Sequence, residues 1–236
     1  DAFNQMDLAF VIQLGDLIDR GFQSYSEILP IFDRIQSCRF HVLGNHDFSV
    51  AEEKLDEIAG RCRYFVWCVN GWRFVVLDGN DLSLVARRKG SCEFKQAQQL
   101  YDSLKGQNAP NAQTWNGGIG SLQLRWLDRQ LAQADRVGQR VVVFCHFPVY
   151  PADIHNLWND QEVLRVLESH PCVMAYMNGH NHAGHYGQRC GIHYVTFPGM
   201  VETSDTTAYA VVRIRREDMA IVGYGRTPSR RLKYRS

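Results

Sequence analysis

The chain has 236 residues, 45% of them hydrophobic and 22% charged, with a formal net charge of +1. This composition predicts one globular domain over residues 1–236 that buries its core without disulfide bonds. The small net charge excludes a strongly basic nucleic-acid binder, and no apolar run approaches the roughly 18 residues of a membrane span, so we expect neither partner. Seven cysteines without a CxxC pair predict free thiols and a cytoplasmic location.

The first half of the chain alternates apolar and amphipathic segments. A continuous apolar run at 8–14 predicts a strand buried on both faces. Two further apolar runs flank Asn70-Gly71, which predicts a tight β-hairpin. The other predicted elements of this half are a helix at about 25–36, a strand at 39–43 and a helix at 51–60.

The second half begins with residues 79–120, which lack clear periodicity and predict a substrate-loop insertion, partly helical near 93–105. Amphipathic spacing predicts a helix at 121–137, and the basic residues from Arg226 to Arg235 predict a solvated tail. The other predicted elements are strands at 140–145, 172–178, 192–197, 208–214 and 219–224 and a helix at 160–169. Mixed strands and helices indicate an α/β layered fold.

Four short polar motifs each follow a predicted strand. They are Gly15-Asp16-Leu17-Ile18-Asp19-Arg20, Gly44-Asn45-His46-Asp47, His146 and Gly179-His180-Asn181-His182. Because α/β sheets bind ligands at the carboxyl ends of their strands, we expect these loops to converge. Gly15, Gly44 and Gly179 are expected to allow sharp turns there, and the HxH spacing lets His180 and His182 face one site. Carboxylate, amide and imidazole ligands suit Mn, Fe or Zn, so the sequence predicts a metal site.

The motif order GDxxDR, GNHD, H and GHxH resembles that of the calcineurin-like metallophosphoesterases. This resemblance implies a four-layer αββα sandwich, in which two mixed β-sheets are flanked by helices, and a site with two divalent metal ions. The family begins with a strand that ends in an Asp-x-His or Asp-x-Gln motif, and nothing before Asp16 matches it. Because the sequence starts with Asp1 rather than Met, we expect this N-terminal strand to be missing.

The resemblance also implies a role for each motif residue. Asp16 would bridge the two metals, and His182 would bind the second metal. The ligands implied for the first metal are Asp16, Asn45, His146 and His180. His46 would contact the substrate or leaving group as a catalytic residue beside Asp16, and Asp47 or another nearby carboxylate is expected to favour its charged form. A hydroxide bridging metals about 3.5–4 Å apart would attack phosphorus.

A finer resemblance extends over most of the chain. The segments that carry it are Leu77-Asp78-Gly79, Trp115 to Gly120, Gln123 to Leu127, Leu157-Trp158-Asn159, Gly199 to Thr203 and Gly223 to Arg226. They look like those of the manganese-dependent ADP-ribose/CDP-alcohol diphosphatases, which implies manganese and a small-molecule nucleotide substrate whose pyrophosphate is cleaved. The residues that we expect to bind substrate are Asn116, Gly117, Trp158 and Asn159, with Trp115 as an alternative stacking surface. The simpler interpretation is that residues 79–120 only cover the sheet.

Other functions stay open at this point. Cyclic nucleotide and glycerophosphodiester phosphodiesterases share the same metal motifs, and GDLIDRG also resembles the protein Ser/Thr phosphatases, although those carry GNHE rather than GNHD. A degenerate, metal-poor binding domain is the alternative outside enzymology. His155, His170 and His193 have no motif context, whereas His185 is a weaker candidate to line the site. The oligomeric state is not indicated by the sequence.

Overall fold

Two layers of β-strands support the loops of the predicted site in the computed structural model, which describes residues 2–50, 55–56 and 62–235. The strands are β1 (Val11–Gln13), β2 (Arg39–His41), β3 (Phe65–Val69), β4 (Trp72–Val76), β5 (Leu82–Ser83), β6 (Gly117–Gly118), β7 (Arg140–Phe144), β8 (Val173–Asn178), β9 (His185–Arg189), β10 (Ile192–Thr196), β11 (Ala208–Ile214), β12 (Asp218–Gly225) and β13 (Arg230–Lys233). The helices are α1 (Phe22–Phe32), α2 (Cys92–Gly106), α3 (Ser121–Val137) and α4 (Asp160–Glu168), with 3₁₀ turns at Phe3–Gln5 and His46–Ser49.

The central layer is a six-stranded mixed sheet with the order β3-β4-β7-β8-β10-β9. Strands β4, β7, β8 and β10 run parallel, and β3 and β9 pair antiparallel at the two edges. Every residue of β8 is buried, as expected for a strand that is covered on both faces. The carboxyl ends of β7 and β8 therefore lie side by side at one rim of the sheet.

Two apolar cores cover the faces of this sheet. On one face, Leu127 and Leu131 of α3 and Leu164 of α4 pack against β7, and each is almost completely buried. Burial of one such leucine contributes about 1.5–3 kcal/mol to folding. On the other face, Phe144 of β7 packs with Ile221 of β12 and other residues of the second strand layer.

The second strand layer consists of a two-stranded parallel sheet, β1-β2, and a three-stranded antiparallel sheet, β11-β12-β13. Helix α1 packs outside this layer, where Phe32 contacts His41 of β2. The order helix, sheet, sheet, helix confirms the αββα prediction. A single mixed second sheet was predicted, but no ladder joins β1 to β11 among the described residues. The 3₁₀ turn at Phe3–Gln5 lies near β11, because Phe3 contacts Tyr209 of that strand. The backbone N–H groups of Gln5 and Met6 donate to the carbonyls of Ala2 and Phe3 within the turn.

Most predicted elements lie within a few residues of their expected bounds, and the hairpin at Asn70-Gly71 is confirmed by its antiparallel register. The predicted helix at 51–60 lies outside the described residues except for Leu55 and Asp56, which are helical. The prediction of a solvated tail was wrong, because β13 pairs with β12 and Arg231 forms an ion pair with buried Asp218. All seven cysteines are free thiols. Among the described helices, none is both long enough and apolar enough for a membrane span.

Candidate metal centre

The four motif loops meet at one rim, where they surround an open cavity of about 480 Å³. The cavity is lined by Asp16, Asn45, His46, Trp115, His155, His180, Asn181, His182 and Ala183. His146 lies beneath this surface, almost completely buried. The structure therefore brings together all five residues predicted to bind metal, and it places the predicted catalytic His46 in the same cavity.

Three of these side chains, the buried His146 and the partly buried Asp16 and His180, form a group that we call the buried cluster. One ligand atom from each lies within 4.8 Å of the others. The His146 Nε2 is 3.1 Å from Asp16 Oδ2 and 3.0 Å from His180 Nδ1. The other ring nitrogen of His146, Nδ1, lies 2.8 Å from the Leu14 carbonyl oxygen. Because a carbonyl oxygen only accepts, Nδ1 carries a proton and donates this hydrogen bond.

The tautomer of His180 is determined by Asn116. The Asn116 Nδ2 donates to the carbonyls of Asn111 and Ile154 at 3.0 and 2.7 Å, which fixes the orientation of the amide. Its Oδ1 must then accept from His180 Nε2–H at 2.9 Å. The remaining lone pair of His180, on Nδ1, faces His146 and Asp16. Ligand atoms of Asp16, His146 and His180 therefore converge, and such an arrangement requires either a proton on His146 Nε2 or a cation between them.

The pKa values of the cluster reflect this crowding. Burial raises the pKa of Asp16, but the charge and hydrogen bond of His146 outweigh burial and lower it to about 2. Burial lowers the pKa of His146, but Asp16 reverses the effect and leaves it raised. Burial, reinforced by the neighbouring charge of His146, holds the pKa of His180 well below its ordinary value. Asp16 is thus an anion and His180 a neutral imidazole, which are the forms that bind divalent metals.

Asn45 provides a second test of whether a metal fits. Its Oδ1 is buried and has no hydrogen-bond partner among the described residues. A buried amide oxygen without a partner costs about 1–3 kcal/mol, and a metal ion at the cavity wall would satisfy it. Together with the carboxylate and imidazoles of the buried cluster, this oxygen would give a donor set of the O and N type that suits Mn, Fe or Zn. The residues present therefore fit a divalent metal.

Asp47 fastens the first two motif loops to each other. Its carboxylate accepts hydrogen bonds from the backbone N–H groups of Asp16, Leu17 and Gly44 at 3.0, 3.1 and 2.8 Å. It also accepts from the Tyr25 hydroxyl at 2.7 Å. Burial raises the pKa of this carboxyl, whereas the donors from Tyr25 and Gly44 oppose the rise by stabilising the carboxylate. Asp47 was expected beside the His46 ring, but the structure uses it as a brace between loops.

The backbone at this rim is unusual. Asp16 and His180 have φ angles of 55° and 65°, in the left-handed region that costs non-glycine residues about 1–3 kcal/mol each. Such strain persists only where the surrounding structure imposes it. Gly15 turns sharply as predicted, with a φ of 102°. Gly44 has no left-handed φ, and its role is close approach, because a Cβ there would collide with the Asp16 carboxylate.

His46 lies at the mouth of the cavity, and its ring is bonded to Asp19 rather than to Asp47. Its Nδ1 is 2.9 Å from the Asp19 carbonyl and 3.2 Å from the Asp19 carboxylate, so Asp19 is the carboxylate beside this ring. The His46 backbone N–H donates to Asp16 Oδ1 at 2.9 Å. The backbone therefore orients the predicted bridging carboxylate, while the half-exposed ring is free to meet a substrate.

The other side of the cavity contains an exposed pair, which we define as His182 and Glu202. His182 Nδ1 lies 2.5 Å from Glu202 Oε1, and the two side chains are 47% and 40% exposed. Unlike the members of the buried cluster, His182 has no second partner holding its ring among the described residues. Glu202 was part of a predicted family segment, although its pairing with His182 required the fold.

The four residues predicted to bind substrate lie behind the cavity rather than in its lining. Asn116 is fully buried and bonded to protein atoms on all sides. Trp158 donates its Nε1–H to the Gln113 carbonyl, and its backbone N–H donates to Gly117. The Asn159 amide pairs with the backbone of Ile119. Burial and satisfied hydrogen bonds leave these groups no free surface, whereas neighbouring Trp115 is 42% exposed and lines the cavity.

Sequence reasoning overlooked several residues at this site. His155 had no motif context, yet it lines the cavity and its ring lies 5.5 Å from that of His180. Asn181 and Ala183 line the cavity simply because they interleave and follow the HxH histidines. The signal that could have identified His155 is Asp153 two positions earlier, a spacing that allows a carboxylate to hold an imidazole.

Comparisons with known proteins agree with this geometry. A family model described as calcineurin-like phosphoesterase matches residues 1–184. The chain is 32% identical to a manganese-dependent ADP-ribose/CDP-alcohol diphosphatase of Xenopus tropicalis, over 99% of this chain and 82% of the relative. It is 28% identical to the protein of that name from Homo sapiens, over 95% of this chain and 78% of the relative.

A solved structure agrees as well. A dimetal phosphatase from Danio rerio superposes with a TM-score of 0.90 at 27% sequence identity. The superposition covers 97% of this chain and 84% of that structure. The arrangement of layers and loops described above is therefore that of a two-metal phosphatase fold.

Proposed function

The chain belongs to the calcineurin-like phosphoesterase family, and we propose that it cleaves the pyrophosphate of nucleoside-diphosphate-linked compounds such as ADP-ribose or CDP-alcohols. As a member of this family it is a dinuclear metal-dependent phosphohydrolase. The observation that carries the substrate proposal is the similarity over 99% of the chain to a relative named for these substrates. That similarity spans the metal-site loops and also the segment 79–120, which packs against them.

We assign the metals to residues as follows. Asp16 would be shared by two metals, and His182 would contribute to the second of them. The residues that would hold the first metal are Asp16, Asn45, His146 and His180. The relatives are named manganese-dependent, and the O and N donor set of this chain suits Mn²⁺. Two such ions, when bound, supply Lewis acidity and lower the pKa of a water molecule.

The other residues of the cavity orient and stabilise the substrate. His46 is a hydrogen-bond donor that touches the phosphoryl group or the leaving oxygen, where its interaction strengthens as negative charge develops. The exposed ring of Trp115 offers a face on which a nucleoside base can stack. Asn116, Gly117, Trp158 and Asn159 support the site from behind, since Asn116 holds His180 and the other three hold the segment that carries Trp115.

A substrate panel with Mn²⁺ tests this proposal. The compounds are ADP-ribose, CDP-choline, cyclic nucleotides, a glycerophosphodiester and p-nitrophenyl phosphate esters. We expect the highest kcat/KM for the two diphosphates, with a nucleoside monophosphate as one product detected by chromatography. The His146→Ala variant, which removes a predicted ligand, is the control for contaminating activity.

The same panel separates the alternatives. A higher kcat/KM for cyclic nucleotides or the glycerophosphodiester would replace diphosphatase by phosphodiesterase activity at the same metal centre. Comparable rates for all esters would indicate a phosphoesterase without selection for a second phosphate. Either result would overturn the substrate proposal while leaving the family assignment intact.

A further inference from the structure

His155 is a cavity residue that the metal assignment does not use. It lies on the loop after β7, beside His180 of the buried cluster, and it lines the cavity together with His46 and Trp115. Its ring meets that of His180 edge-on, with the planes at 82°. The side chain is partly exposed, so a molecule in the cavity can reach it.

Asp153 determines how the His155 ring is presented. The Asp153 Oδ1 accepts from the His155 backbone N–H at 2.9 Å and from its Nδ1–H at 2.6 Å. Two contacts to one carboxylate oxygen hold both the backbone and the ring. Because Nδ1 is engaged with Asp153, Nε2 is the ring nitrogen that can bind a ligand.

The loop that carries His155 is firmly attached to the scaffold. Between Asp153 and His155, the Ile154 carbonyl accepts from Asn116, the same amide that holds His180. Asn156 donates to the Pro151 carbonyl and to the buried Asp160 carboxylate. Since the loop is held on both sides of His155, the ring has a defined position relative to the metal ligands, as a substrate contact requires.

The charges around the cavity show what this ring could bind. No lysine or arginine belongs to the cavity lining in the described part of the chain. A pyrophosphate carries charge on two phosphoryl groups, and the proposed metals and His46 would serve the one that is attacked. His155 is the other lining histidine that is not a proposed metal ligand. We propose that His155, oriented by Asp153, is a substrate-contacting residue that hydrogen-bonds the second phosphoryl group through Nε2.

This inference rests on the proposed diphosphatase function and deepens it. In the bound state Asp153 holds the ring through Nδ1, and Nε2 hydrogen-bonds a charged phosphate oxygen, a charge-assisted contact. Such a contact exists only for substrates that have a second phosphoryl group. His155 would therefore select diphosphates over simple phosphodiesters, which the shared metal ligands cannot do.

The test compares His155→Ala with the unaltered chain on substrates that have one or two phosphorus atoms. The pair is CDP-choline and the p-nitrophenyl ester of a nucleoside 5′-monophosphate. We expect kcat/KM to fall about 10- to 100-fold for CDP-choline and to change less than about threefold for the ester. His155→Gln retains a donor without charge and should show a smaller loss, and Asp153→Asn should change kcat/KM in the same direction.

Binding provides a second readout that does not require turnover. With Mn²⁺ present, calorimetry should show weaker binding of α,β-methylene-ADP to His155→Ala, by about 10-fold or more, with binding of AMP nearly unchanged. Arg88→Ala, which removes an exposed positive charge outside the cavity lining, is the control for a general loss of charge. If the unaltered chain cleaves no diphosphate, the proposed function fails, and the binding comparison still reports on His155.

Two results would overturn the inference. An equal loss on one- and two-phosphorus substrates would mean that His155 supports the fold or the metal centre instead. A fall in bound Mn²⁺, measured by elemental analysis of His155→Ala or of the milder His155→Gln, would mean that His155 is a metal ligand.

Discussion

The buried cluster and the exposed pair occupy one cavity but are built differently. Each member of the buried cluster has a second partner: Leu14 for His146, Asn116 for His180 and the His46 backbone for Asp16. In the exposed pair, His182 and Glu202 contact each other, and about half of each side chain faces solvent. One side of the cavity is thus preorganised before a metal arrives, and the other gains its geometry from what binds there.

This difference indicates how the work of the site is divided. The proposed buried ligands cannot reorient without breaking hydrogen bonds, so we expect them to retain a metal and to define its position. Exposed groups such as His46 and His182 can adjust to a substrate or exchange a metal, because solvent offers alternative partners. The metal held by the buried cluster and Asn45 should therefore bind first, and anomalous scattering stronger at the His182 position would contradict this order.

The largest expected effect is that of Asp16→Asn, which weakens both metal positions at once. The substitution removes the charge that the buried cluster requires, so we expect no detectable turnover and much weaker Mn²⁺ binding. Elemental analysis and isothermal titration would measure the loss, with Asp102→Asn on the exposed surface of α2 as the matched control. Normal metal content in Asp16→Asn would refute the bridging role.

The His46→Ala substitution tests whether His46 acts in the chemical step rather than in metal binding. Loss of one transition-state donor should lower kcat by about 10²–10³-fold, while Mn²⁺ stoichiometry stays unchanged because the ring is not bonded to the buried cluster. Single-turnover kinetics and metal analysis check the two halves of this expectation. A metal loss as large as that of His146→Ala would show that the exposed side also binds metal through His46.

Asp47→Asn tests whether the rigidity of the buried side comes from the brace between the first two loops. The buried carboxylate accepts four hydrogen bonds, and its replacement by an amide should lower the free energy of unfolding by about 3 kcal/mol. Urea denaturation measures this change. Asp19→Asn, at an exposed carboxylate of the first motif loop, should leave the free energy of unfolding unchanged, and equal losses would remove the distinction between the two sides.

Asn116→Ala tests the partner of His180. The sequence favoured a role for Asn116 in substrate choice, but its buried contacts support a role in metal binding. Loss of such a partner typically lowers metal affinity or activity about 10–100-fold, and here the loss should be uniform for all substrates. Mn²⁺ titration followed by electron paramagnetic resonance measures the affinity. A selective loss for diphosphates with normal affinity would restore the original interpretation.

The smallest effect is expected at the exposed pair. Glu202→Ala removes a solvent-screened partner, so the affinity of the second Mn²⁺ should fall only about two- to fivefold. Competition with a metallochromic indicator would resolve this step, and high salt should reduce the difference further. A loss comparable to that of Asn116→Ala would mean that Glu202 is itself a ligand or that the pair becomes buried upon metal binding.

Patterns within short stretches of the sequence were enough to predict most strands, the hairpin and the position of the cavity. The alternating apolar runs and the Asn70-Gly71 turn gave the strands and the hairpin, because burial period and turn chemistry are local properties. The four motifs at strand ends identified the cavity, since parallel strands bring their carboxyl ends together. The convergence of Asp16, His146 and His180 therefore followed from the chain order of strands and motifs.

Long-range pairing decided the rest. No local period encodes the packing by which Asp47 braces two loops and Asp19 meets His46. The same is true of the contact by which Asn116 holds His180 from 64 residues away. The same holds for His155, which looked unremarkable until the loop after β7 placed it beside His180. The amino-acid sequence alone was sufficient for the α/β fold class and for the meeting of the motif loops at one rim, because these depend on local burial patterns and strand order. Which side chains of the cavity are held by partners and which can meet a substrate required the folded chain, because burial and hydrogen-bond partners depend on segments far apart in the sequence.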